Sequence, residues 1–84
     1  MNHAVIRKLI LTALAESGGY AVPEKALLIA FNISFRPPLD APAFKDHLSW
    51  LLDRHLIDYL KDDLSEDDRK FLITEKGQAA LKRF

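Results

Sequence analysis

Hydrophobic positions recur along this chain first at helical spacing, then in two short runs, then at helical spacing again. Over residues 3–17, Ile6, Leu9, Ile10, Ala13 and Leu14 form an i, i+3, i+4, i+7 stripe, which predicts an amphipathic helix. Ser17-Gly18-Gly19 ends it, with glycine available for the left-handed residue after the last turn. Residues 20–22 (YAV) read as a short strand, and Pro23 suits the first turn of a second helix, where its missing N–H costs nothing. That helix, over 23–32 (PEKALLIAFN), is apolar nearly all round and is expected to be buried centrally. Residues 32–39 (NISFRPPL) form a linker with two consecutive prolines, after which Asp40 caps a third helix with Pro42 in its first turn. The third helix carries Phe44, Leu48, Leu51, Leu52 and His55 on one face.

Beyond it the period changes. Residues 56–61 (LIDYLK) and 69–74 (RKFLIT) are rich in β-branched, aromatic and leucine residues and flank an acidic loop over 62–68, the pattern of a hairpin with a long tip. Thr74 then stands where it can N-cap a closing helix whose first turn carries Glu75. The expected core is Ile6, Leu9, Ile10, Ala13, Leu14, Leu27, Phe31, Phe44, Leu48, Leu51, Leu52, Ile57, Phe71, Ile73 and Leu81. Eighty-four residues with no internal repeat make one α+β domain spanning 1–84.

A helix running into a two-stranded hairpin and on to another helix is the back half of a winged helix-turn-helix. The residues Leu48, Leu51, Leu56, Ile57, Ile73, Thr74, Lys76, Gly77 and Leu81 resemble the corresponding stretch of MarR- and PadR-type transcriptional regulators. There an L-x-x-L turn leads into a "G-L-I" strand start, and a charged wing leads into an "I-T-x-K-G-x-x-x-L" element. The resemblance implies a three-helix core, a wing, and a third helix that enters the DNA major groove. Two features depart from the pattern. The linker over 32–39 is longer than the turn of a minimal helix-turn-helix, and His55 stands where the resembled family usually has glycine. Either His55 adopts the positive φ that glycine takes freely, or the chain turns differently there.

Charge changes the functional picture. Twelve basic and twelve acidic residues leave no formal net charge, whereas free-standing DNA-binding domains are usually basic. Residues 1–36 carry a net of +2, residues 58–68 a net of −5, and the closing helix +2. The absence of cysteine excludes a disulfide framework, thiolate metal sites and a cysteine nucleophile. No apolar stretch approaches a membrane span and no signal-peptide pattern opens the chain, so a cytoplasmic protein with no membrane partner is expected.

Two functional classes follow. In the first, a small regulator binds double-stranded DNA through Lys45, Ser49 and Arg54 on the outer side of the third helix, helped by Arg7, Lys8 or the closing-helix lysines. In the second, a winged-helix module binds a protein partner through Trp50, Asp46 and the acidic wing. Trp50 itself has two assignments, packing against the linker or a neighbouring helix, or standing out as an aromatic anchor. A narrow strip of Ala4, Leu11 and Ala15 on the first helix is a candidate subunit contact, with Leu11 and the closing helix through Phe84 forming a weak homodimer. Dense acids at 62–68 lack the spacing and the turn glycine of a calcium loop. His3, His47 and His55 lack paired ligand spacing, and no nucleophile motif or phosphate-cradling loop occurs. No cofactor and no catalysis are expected.

Overall fold

The computed structural model describes the backbone of residues 3–18, 20–35, 38–62 and 65–83, with side chains throughout except at Ser34 and residues 61–68. In chain order the elements are α1 (His3–Glu16), β1 (Val22–Pro23), α2 (Glu24–Ser34), α3 (Ala41–Asp53), β2 (Ile57–Asp62), β3 (Ser65–Ile73) and α4 (Glu75–Arg83). This is the element order of a winged helix.

The three strands are antiparallel in the order β1-β3-β2. Val22 pairs with Phe71, which ties the start of the helix-turn-helix to the wing, and Pro23 is tolerated because β1 is an edge strand. The hairpin register runs from Ile57 opposite Ile73 to Lys61 opposite Arg69, then jumps so that Asp62 faces Ser65. The acids Glu66, Asp67 and Asp68 fall inside that irregularity, as the extra residues of a bulged strand do. The expected long loop over 62–68 is thereby corrected, because β2 continues to Asp62 and β3 begins at Ser65. Asp63 and Leu64, part of that expected tip, lie outside the described residues.

The central helix is α1 rather than α2. It touches α2, α3, α4 and β3, so it buries Ile6, Ile10 and Leu14 and also Leu11 on its flank. Leu9 and Ala13, expected in the core, are only half-buried and line a groove against Ala30 and Phe31 of α2. The second helix buries Leu27 and Phe31 but leaves Ile29 65% and Ile33 72% exposed, which corrects the expectation of a central buried helix. An all-round apolar composition does not place a helix centrally when neighbours cover one side only.

Local chemistry sets how α3 sits between its neighbours. α2 runs two residues past its expected end, and the Asn32 side chain both donates to the Leu39 carbonyl (3.1 Å) and accepts from the Leu39 N–H (3.0 Å). That double bond brackets the linker and seats Leu39 in the core. Asp40 accepts from the Ala43 N–H at 2.9 Å and caps α3 as expected. At the other end the Leu56 N–H donates to the Leu51 carbonyl and the His55 N–H to the Leu52 carbonyl, at 3.1 and 3.0 Å. His55 has φ 61, so the helix ends in a Schellman motif with histidine at the left-handed position that glycine usually fills. His55 is exposed and takes no part in the core face of α3.

Candidate nucleic-acid interface

On a helix with 3.6 residues per turn, Phe44, His47, Leu48 and Leu51 of α3 share the buried side. Directly opposite lie Pro42, Asp46, Ser49 and Asp53, all exposed. Two shoulders flank this outer face. On the α2 side, Lys45 borders a cleft shared with Glu24, Lys25, Leu28, Ala41 and Phe44. On the α1 side stand Trp50 and Arg54. Of the residues singled out from sequence, Lys45, Asp46, Ser49 and Arg54 are therefore all exposed on α3 or at its end. Leu11 is not: it is 1% exposed, packed where α1 meets Trp50, Leu51 and Leu56, which withdraws it as a surface contact. Phe84 lies outside the described residues.

Trp50 packs against a neighbouring helix, one of its two assignments. The Arg7 guanidinium of α1 stacks 3.7 Å from the centre of its ring, and that of Arg54 lies 4.1 Å from it. Both distances are well inside the range of a cation–π contact. Among the described residues neither arginine has a carboxylate within salt-bridge range. Among the described residues the buried Arg7 Nε has no hydrogen-bond partner, and the ring is the contact that its guanidinium makes.

His47 was not singled out for the core, although its place three residues after Phe44 and four before Leu51 puts it on the buried side of α3. It is 6% exposed, its ring centre lies 5.3 Å from that of His3, and its buried Nδ1 has no hydrogen-bond partner among the described residues. Burial, reinforced by the positive charge of Arg7 and by His3, pushes its pKa below the ordinary 6.5, and Asp46 offsets this only in part.

On the wing, Lys70 of β3 is exposed beside Pro23, whereas Arg69 is partly buried and engaged. Arg69 pairs with Glu24 at 3.4 Å and lies over the rings of Tyr59 and Phe71, so it fastens β3 to the start of α2. No group of three histidine, aspartate or glutamate side chains gathers to hold a metal among the described residues. No helix among them is long and apolar enough to cross a membrane.

No protein-family model and no curated protein sequence matches this chain. Solved structures do. RosR of H. salinarum aligns with a TM-score of 0.78 and 19% identity over 93% of this chain and 66% of its own. The PcaV transcriptional regulator from Streptomyces coelicolor aligns at 0.74 and 19% identity, covering 93% of this chain and 52% of its own. In complex with its natural ligand, PcaV aligns at 0.72 over 92% of this chain and 49% of its own. The fold is accordingly the winged helix of these structures, and the chain spans about half to two thirds of their length.

Proposed function

We propose that this winged helix binds double-stranded DNA as a transcriptional regulator acting in the cytoplasm, with α3 lying in the major groove. The observation that carries this is the layout of charge around α3. A helix in the major groove has a phosphate strand on each side and base edges ahead of it. Here the cations stand on the two shoulders, Lys25 and Lys45 towards α2 and Arg7 and Arg54 towards α1, while Ser49, Asp46 and Asp53 occupy the centre. Acids that would repel phosphate are thus held where they face bases, and aspartate can accept from the cytosine amino group. Net neutrality then sets a modest affinity without removing the interface. The likeness to the PcaV transcriptional regulator supports the same assignment. Nothing in this role calls for catalysis or a cofactor.

The test is a titration of micromolar protein with mixed double-stranded fragments at ~50 mM salt, where even non-specific association registers. Binding should weaken linearly in log affinity against log salt, and Lys45→Gln should weaken it at every sequence. A flat titration at that salt overturns the proposal.

A further inference from the structure

We propose that Trp50 is a positioning residue for the DNA contact of Arg54, held in place from behind by Arg7 of α1; this rests on the assignment of α3 to the major groove. A free arginine on a helix surface loses considerable side-chain freedom when it binds a phosphate, and an arginine already stacked on an aromatic ring loses less. Arg54 is fixed at both ends. Its backbone is the C-cap of α3, at φ −98 and ψ 4, locked by the paired bonds that follow through His55 and Leu56. Its side chain sits one helical turn from Trp50, the spacing at which neighbours on a helix surface touch, and its guanidinium lies 4.1 Å from the indole centre.

The indole cannot hold Arg54 unless it is itself held. Trp50 is half-buried, with Arg7 stacked 3.7 Å away and Leu11 and Leu51 lining the small apolar cavity beside it. The result is two guanidiniums gathered on one ring with no carboxylate paired to either among the described residues. Like charges held together with no counter-ion among the described residues fit a polyanion passing along that shoulder. Arg7 of α1, on the phosphate shoulder rather than in the groove, thereby sets the position of the Arg54 side chain at the end of α3.

The chain has a single tryptophan, which three of the variants remove, so binding is read from labelled DNA. DNA titrations of the wild type, Arg54→Gln, Trp50→Leu, Trp50→Phe and the Trp50→Leu/Arg54→Gln double variant form the experiment, with thermal unfolding run alongside. Arg54→Gln should lose about tenfold in affinity, and its salt slope should fall by about one. Trp50→Leu should lose nearly as much and show the same reduced slope although its arginine remains. The double variant should bind no worse than Arg54→Gln alone, because the two residues make one contact. Trp50→Phe, which keeps a stacking face and packs more conservatively, should retain most of the affinity. Losses that multiply in the double variant, or Trp50→Leu and Trp50→Phe both keeping the full salt slope, overturn the positioning role while leaving the DNA assignment standing. A wild type that binds no DNA overturns both.

Discussion

The hydroxyl of Thr74 lies 2.7 Å from the carbonyl oxygen of His55 and 3.0 Å from the amide nitrogen of Gly77. It donates to the first and accepts from the second, so one side chain closes the left-handed turn after α3 and caps α4. The Thr74 N–H adds a bond to the Leu56 carbonyl at 3.2 Å. Thr74→Ala should therefore destabilise the domain by about 1–2 kcal/mol in a denaturant titration, the upper part of the range for a lost cap. Thr74→Ser should recover most of that loss.

His55 occupies a left-handed backbone conformation, with φ 61, at no benefit to its own side chain, which is exposed. Replacing it with glycine removes the steric penalty of the Cβ. His55→Gly should stabilise by roughly 1 kcal/mol, less whatever glycine loses through its freer unfolded state. A domain of this size should show a midpoint higher by about 4–8 °C per kcal/mol gained. An unchanged or lower midpoint contradicts the strain.

Gly77 lies inside α4, where alanine normally stabilises by about 1 kcal/mol. Here a methyl group would run into the Leu56 carbonyl oxygen and come within 2.8 Å of the Ile73 Cγ1. Gly77→Ala should instead destabilise, by about 1–3 kcal/mol as overpacking does. The sign alone decides the matter.

Stability should fall in mild acid because of His47. Its folded pKa is depressed, so the folded state holds fewer protons than the unfolded state between the folded value and 6.5. The contribution is complete above 6.5 and is lost as the pH drops below it. The slope from this one group cannot exceed about 1.4 kcal/mol per pH unit. Comparing unfolding free energies of the wild type and His47→Leu from pH 7.5 to 5 isolates it: the variant should gain on the wild type as pH falls.

Asp46 sits at the centre of the outer face of α3, where in the proposed DNA complex its charge would oppose phosphate and its oxygens would be placed to accept from a base. Asp46→Asn should strengthen binding to random fragments and change the preferred base at one position, read by selection from a randomised duplex pool. Stronger binding with an unchanged preference would mean that Asp46 repels phosphate and reads nothing.

Much of this architecture was legible in the residues. Asp40 and Thr74 announced their caps, the change of period after His55 announced the hairpin, and the glycine-like position of His55 left two backbone readings open, of which the structure takes the positive φ. What stayed hidden depends on how many neighbours each helix has. Periodicity shows which side of α1 is most apolar, but not that α3 would cover its flank and bury Leu11. The apolar composition of α2 likewise said nothing of Ile29 and Ile33 facing solvent. Acids have poor strand propensity, which hid the start of β3 at Ser65. The stack of Arg7 on Trp50 joins positions far apart in the chain, and no local pattern connects them.

The two-residue strand β1 also shapes the order in which the molecule assembles. β2 and β3 are neighbours in the chain, and such hairpins zip within microseconds. Val22 reaches Phe71 only after a loop of about fifty residues has closed, and the ladder it then forms offers two residue pairs to offset that loss of entropy. This seam is therefore expected to form after the folding barrier has been crossed. A weakened Val22 would speed unfolding and leave the refolding rate almost untouched, so the stitch between the helix-turn-helix and the wing governs how long the folded state persists more than how quickly it is reached.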